Sequence, residues 1–327
     1  MPAVAFETLR QAADVLRPVV VETPILESPV INDLCGARVL LKAESLQRTG
    51  SFKFRGAYYR IACLAPDERA RGVVAFSSGN FAQGLAAAGA LAGVKVTIVM
   101  PEDAPRAKME ATRRYGAEVV LSRHGTRNRE EAANELAMQL ADQHGMTKLH
   151  PFDDPLIVAG QGSAGIELMR QAAQLGLELD AVLSPVGGGG LLAGVALAVR
   201  RASPHTRVFG VEPEGYDDMA RSLATGARQR VEGQPRSVCD ALQAAMPGSV
   251  TFDVARDLVA GGFAVSDAEV VSAMDRAFHH LKLVLEPSGA VALAAALASK
   301  LSPMPKTVAV ILSGGNIAIE DFRRLTT

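Results

Sequence analysis

The stretch from Asp180 to Arg201, DAVLSPVGGGGLLAGVALAVRR, decides the fold. Its first third is a short apolar run without alternation, which suits a strand buried on both faces. Its last third carries an apolar helical pattern and closes on two arginines, whose charge suits a helix carboxyl end. Between them stand Gly187, Gly188, Gly189 and Gly190. A strand that enters a helix through such a run can turn its backbone N–H groups toward an anion, and the helix N-terminus adds partial positive charge there. A tight turn alone needs fewer than four glycines.

The same alternation extends outward. Short β-branched runs at 72–76, 94–100, 117–122, 207–212 and 307–313 join the one at 180–186 as strands. Helical patterns fill 80–92, 105–115, 128–144, 155–176, 190–202, 267–282 and 287–300, and Ser266 with Glu269 forms a capping box at the start of one of them. This order predicts an α/β fold with mostly parallel sheets flanked by helices. The segment 213–250 is the least periodic and reads as an excursion beside the site.

Composition excludes several classes. The chain has 327 residues, enough for two lobes, and its net charge of −1 with 21% charged residues offers no surface for nucleic acid. Three scattered cysteines, Cys35, Cys63 and Cys239, form no CxxC pair and point to a reducing compartment. The first 18 residues read as an amphipathic helix rather than a signal peptide, and no apolar run is long enough to span a membrane. A soluble cytoplasmic protein is expected.

Ligands of open parallel sheets bind beyond the carboxyl ends of the strands. Three polar turns fall there: SSGN at 77–80, the glycine run at 187–190, and SGGN at 313–316. A fourth feature is QRTGSFKFRGA at 47–57, in which Lys53 stands between Phe52 and Phe54. An amine in apolar surroundings loses proton affinity and becomes a nucleophile toward aldehydes. A packed, water-exposed surface lysine is the plainer reading of that stretch by itself. Gly188, Gly190 and Ala193, with Glu212 about twenty residues on, also fit a dinucleotide fingerprint. That reading leaves Lys53 and the other two turns without a role. A phosphate cradle combined with a nucleophilic lysine beside an aromatic ring suggests pyridoxal phosphate. Its phosphate then lies on the glycine run, Lys53 forms the imine, Asn80 reaches the ring oxygen, and Ser313 meets the ring nitrogen. A neutral hydroxyl at that nitrogen, in place of an acid, favours prompt loss of a β-leaving group over transamination.

At this level the chain resembles the fold-type-II pyridoxal-phosphate enzymes of the serine/threonine dehydratase and serine racemase group. The resemblance is carried by RTGSFKFRGA (48–57), SSGNFAQGLA (77–86), AGQGSAGIEL (159–168), PVGGGGLLAG (185–194) and SGGN (313–316), in order, over nearly the whole chain. It implies a tryptophan-synthase-β-like architecture of two lobes. Residues 1–70 and 150–327 would form a large cofactor-binding domain, and 71–149 a small domain closing over an amino-acid substrate. It implies Lys53 as the Schiff-base lysine with Phe52 against the ring, Gly187 to Gly190 with Leu191 on the phosphate, Glu286 near the cofactor, and Ser313 on the ring nitrogen. Ser77, Ser78, Gly79 and Asn80 would hold the substrate carboxylate. Ser78 matches the acid/base position of the racemases. A homodimer is also implied.

The resemblance further implies a divalent-cation site in VEPEGYDD (211–218), with Glu212, Asp218 and the Tyr216 carbonyl as ligands for Mg²⁺ or Ca²⁺. The activity it implies is elimination of water from a 3-hydroxy amino acid such as serine, threonine, hydroxyaspartate or phenylserine; an amino-acid racemase and a non-catalytic ligand-binding protein on the same scaffold are the alternatives. One departure stands out: the group usually has His after the SSGN turn, and this chain has Phe81. The substrate pocket is therefore expected to be less polar. A second carboxylate on the substrate would need a cation, for which Arg129 is the candidate. The six histidines show no ligand spacing and are read as structural.

Overall fold

The computed structural model describes residues 4–104, 106–125, 129–233 and 235–327, apart from the side chains at 107, 129 and 130. Ten strands are arranged in two sheets. They are β1 (Ile25–Leu26), β2 (Arg38–Lys42), β3 (Val73–Phe76), β4 (Val96–Pro101), β5 (Glu118–Ser122), β6 (Thr147–Lys148), β7 (Ala181–Pro185), β8 (Arg207–Pro213), β9 (Gly261–Val265) and β10 (Thr307–Ile311). The six-stranded sheet runs β1-β2-β10-β7-β8-β9 and the four-stranded sheet β5-β4-β3-β6. Every pairing is parallel except β1 with β2. The expected α/β architecture is present.

The opening stretch lies where its pattern places it. β7 is buried along its whole length between β10 and β8. The helix Gly190–Ala202 leaves directly from the glycine run. Helices cover both faces of the large sheet: Leu183, Val310 and Ala292 share one apolar cluster, while Val182, Ala309 and Leu192 share another. A run apolar at every position is the consequence of that double burial.

Glycine sets how closely the helices cross. A Cβ on Gly160 would lie 2.6 Å from the Gly56 Cα, and one on Gly194 would lie 2.5 Å from the Val158 carbonyl oxygen. The helix Pro155–Gln174 therefore touches its neighbours Lys53–Ala62 and Gly190–Ala202 backbone to backbone. The motif AGQGSAG is thus explained by packing.

The carboxyl ends of β3, β7 and β10 lead into the three polar turns at 77–80, 187–190 and 313–316. Among the described residues, no helix is long and apolar enough to cross a membrane.

Candidate active site

Lys53 opens the helix Lys53–Ala62, and Phe52 precedes it at the cap. The turn before it is tightly wound. Thr49 and Gly50 both adopt left-handed backbone, with φ of 62° and 74°. A side chain on Gly50 would meet the Asn316 Oδ1 at 2.3 Å, so only glycine fits there. The segment then pairs with the SGGN turn. Ser51 bridges Gly314, and the Phe52 N–H donates to the Ser313 carbonyl at 3.2 Å. Two sequence motifs some 260 residues apart are thereby stitched together beside the lysine.

The Lys53 ammonium lies 5.2 Å from the Phe52 ring centroid and 5.8 Å from that of Phe81, and donates to the Pro151 carbonyl at 3.0 Å. Burial lowers its pKa from 10.5 to about 8, against the opposing pull of Glu286. Burial thus acts in the direction of a more readily deprotonated amine. Phe54 points away, 1% exposed, and stacks on Tyr58 at 5.7 Å.

Around the lysine, two sets of backbone donors lack acceptors. The N–H groups of Gly187, Gly188, Gly189, Gly190 and Leu191 find no protein acceptor among the described residues. Gly189 has φ of 95°, and a Cβ on Gly188 would lie 2.2 Å from the Phe152 ring, so these two positions favour glycine. Thr251 locks it by donating its hydroxyl to the Gly188 carbonyl at 2.6 Å. A row of unsatisfied donors at a helix N-terminus suits a phosphate. The N–H groups of Ser78, Asn80 and Phe81, at the start of the helix Asn80–Ala92, likewise have no protein acceptor among the described residues. Gly79 donates to the Ser77 hydroxyl at 3.3 Å. This second nest is smaller and suits a carboxylate.

Asn80 is clamped from both ends. Its amide nitrogen donates to Glu286 at 2.5 Å, and its oxygen accepts from Asn316 at 2.7 Å. Glu286 is 4% exposed, and its carboxyl is pushed up to about 8 by burial first and by Asp240 second. Ser313 is also buried, with its hydroxyl 3.5 Å from the Ser288 carbonyl. The structure therefore links these segments: Lys53 meets Phe52, Phe81 and Pro151, Asn80 meets Glu286, and Phe152, next to Pro151, packs against Gly188.

Five expected residues stand differently. Phe81 is 2% exposed and belongs to the apolar cluster that includes Ala75, Leu85 and Ile98. Its ring meets the lysine while most of it fills the core, so it does not set the pocket's polarity alone. The Arg129 side chain lies outside the described residues. Glu212 accepts the N–H groups of Met219 and Ala220, each at 2.8 Å, and so caps the helix Asp218–Thr225. Burial and Asp218 raise the Glu212 carboxyl well above its usual range, and burial raises Asp218 to about 7. Among the described residues, one Asp218 carboxylate oxygen is buried without a hydrogen-bond partner. Tyr216 is held by its hydroxyl, which donates to the Pro235 carbonyl at 2.9 Å. Among the described residues, no three His, Cys, Asp or Glu side chains cluster as ligands.

Sequence reading missed the loop His150–Asp154. His150 Nδ1 accepts the N–H groups of Phe152 and Asp153 at 3.3 and 2.9 Å, and Pro151 receives Lys53. The HPFDD string carries no spacing rule, and only the fold brings it to the lysine.

These features define a class: an α/β enzyme with two helix N-termini whose N–H groups lack acceptors among the described residues, and a buried lysine of lowered pKa. The chain belongs to the pyridoxal-phosphate-dependent enzyme family, whose model matches residues 16–314. It is 40% identical to the L-threonine ammonia-lyase of Thermotoga maritima, over 98% of this chain and 78% of that protein. It is also 40% identical to the L-threo-3-hydroxyaspartate ammonia-lyase of Saccharomyces cerevisiae, over 97% and 93% respectively. The solved structure of serine racemase from Dictyostelium discoideum superposes with a TM-score of 0.88 at 37% identity, covering 97% of this chain and all of that one.

Proposed function

We propose that the chain removes water from a 3-hydroxy amino acid and delivers a 2-oxo acid and ammonia. The observation that carries this is the placement of the Lys53 amine between two nests of unsatisfied N–H groups, one fitted to a phosphate and one to an amino-acid carboxylate. The likeness to ammonia-lyases supports the reaction class. The cofactor, when bound, supplies the electron sink that makes the substrate Cα–H acidic.

The chain's own residues do the rest. The donors of Gly187 to Leu191 hold the cofactor phosphate. Ser313 would offer a neutral partner to the ring nitrogen, and Asn80, held by Glu286 and Asn316, would donate to the ring oxygen. The nest at Ser78 to Phe81 fixes the substrate carboxylate. That sets the Cα–H bond toward Lys53, an orientation effect that lowers the barrier. The Lys53 amine takes the Cα proton, and the β-hydroxyl departs with a proton as water. The released enamine is hydrolysed to the 2-oxo acid and ammonia.

Racemisation is the second reading. The Ser78 hydroxyl is half-exposed and carries no protein hydrogen bond among the described residues, which leaves it available as a proton donor. A panel of L- and D-3-hydroxy amino acids, assayed for ammonia, 2-oxo acid and the opposite enantiomer, tests both. Ammonia with oxo acid supports the lyase; enantiomer without ammonia supports the racemase; neither product defeats both.

The same proposal includes three further parts. Residues 71–149, which hold the four-stranded sheet, move as the small closing unit. Glu212 and Asp218, with the Tyr216 carbonyl, hold Mg²⁺ or Ca²⁺; the unpartnered Asp218 oxygen supports this, since a cation would satisfy it. The protein works as a cytoplasmic homodimer, which light scattering would check.

A further inference from the structure

The lysines around the candidate site differ in what holds them. Lys53 donates to Pro151. Lys108 is paired with Asp240. Lys148, at the end of β6, is half-buried and has no carboxylate partner among the described residues. Its ammonium lies 5.9 Å from the centroid of Phe76, the residue that leads into the Ser77–Asn80 turn. Phe76 in turn meets His150 edge-on at 6.2 Å. Because His150 Nδ1 accepts two backbone N–H groups, the ring proton resides on Nε2, which is therefore a donor.

We propose that Lys148, with the Nε2–H of His150 beside it, forms a subsite for an anionic group on the substrate's β-carbon, so that the preferred substrates are 3-hydroxy amino acids bearing a second carboxylate. This rests on the lyase reading above. A half-buried ammonium without a counter-charge is costly, and a bound carboxylate offsets that cost. His150 stays neutral near pH 7, since burial lowers its pKa and Lys148 and Lys53 lower it further against Asp153. It can then donate without adding charge. The subsite lies next to the lysine in sequence and space, because Pro151 follows His150 and receives Lys53. Phe81 is no obstacle, being mostly turned into the core.

The plainer role for Lys148 is to guard the open edge of the four-stranded sheet, where a lysine blocks pairing with another chain. Kinetics separate the two. We would measure kcat/KM for threo-3-hydroxyaspartate and threonine in the wild type, Lys148→Met and Lys148→Arg. Truncating one member of a close charge pair predicts that Lys148→Met lowers the hydroxyaspartate-to-threonine ratio at least about tenfold, mainly through KM, while Lys148→Arg largely retains it. An unchanged ratio in Lys148→Met, with both substrates turned over, overturns the subsite and leaves the lyase reading standing. A wild type that turns over neither substrate overturns the lyase reading, and the subsite with it.

Discussion

Asn80 and Glu286 show how a single contact shapes the site. The Asn80 amide needs an acceptor to stay oriented, and Glu286 provides it from a position that water scarcely reaches. Burial leaves the Glu286 carboxyl protonated up to about pH 8, far above its ordinary 4.5. A carboxyl whose folded pKa is raised stabilises the fold below the unfolded value and loses that contribution as pH rises through the folded one. The cofactor-free protein should therefore lose stability between about pH 4.5 and 8 through this group. Glu286→Gln should flatten that part of the profile, and thermal unfolding across the range checks it. An equally steep decline in the variant would show that Glu286 does not titrate there. Lys53 could be picked out from the sequence only with the three polar turns beside it, because its own stretch reads more plainly as a surface lysine. The contacts of Asn80 with Glu286 and Asn316 could not, because Asn80 is more than 200 residues from either partner.

Regular elements were legible where periodicity was strong. The helices at 80–92 and 190–202 match their sequence patterns end for end, and six strands appear where apolar runs predict them. β2 and β9 were not read. β9 starts with two glycines, which signal a turn, yet Gly262 is required because a Cβ there would lie 2.8 Å from the Ala220 Cβ. β1 and β6 have two residues each, too few for any period. The helix Asp218–Thr225 lay hidden in the segment read as irregular, since the Glu212 carboxylate caps it from the preceding strand. Two predictions belong to this scale. Gly160→Ala forces a methyl against the Gly56 backbone and should destabilise the protein by about 1–3 kcal/mol in denaturant melts, as overpacking does. Unaltered stability would mean the two helices separate freely. Chelation should lower thermal stability, and Mg²⁺ should restore it, because a ligand of the native state alone stabilises that state. Indifference to both would remove the ion from Glu212 and Asp218.

Across the whole molecule, a buried charge network joins the large sheet to the lysine's helix. Arg55 donates to Glu44 at 2.8 Å and to Glu167 at 2.7 Å, and Lys42 donates to Glu167 at 2.8 Å. Two cations and two carboxylates balance, with Lys42, Glu44 and Arg55 wholly buried. Removing one partner from such a set typically costs about 3–5 kcal/mol, because a charge is left buried alone. Arg55 lies two residues beyond Lys53, so the network fixes the start of the helix that presents the amine. The central claim is that this architecture exists to hold the cofactor on Lys53. The most direct test is borohydride reduction of the purified protein followed by peptide mass mapping. The account predicts a permanent cofactor adduct on the peptide containing Lys53, and none in Lys53→Ala. An adduct on another lysine, or an undiminished one in the variant, would contradict it.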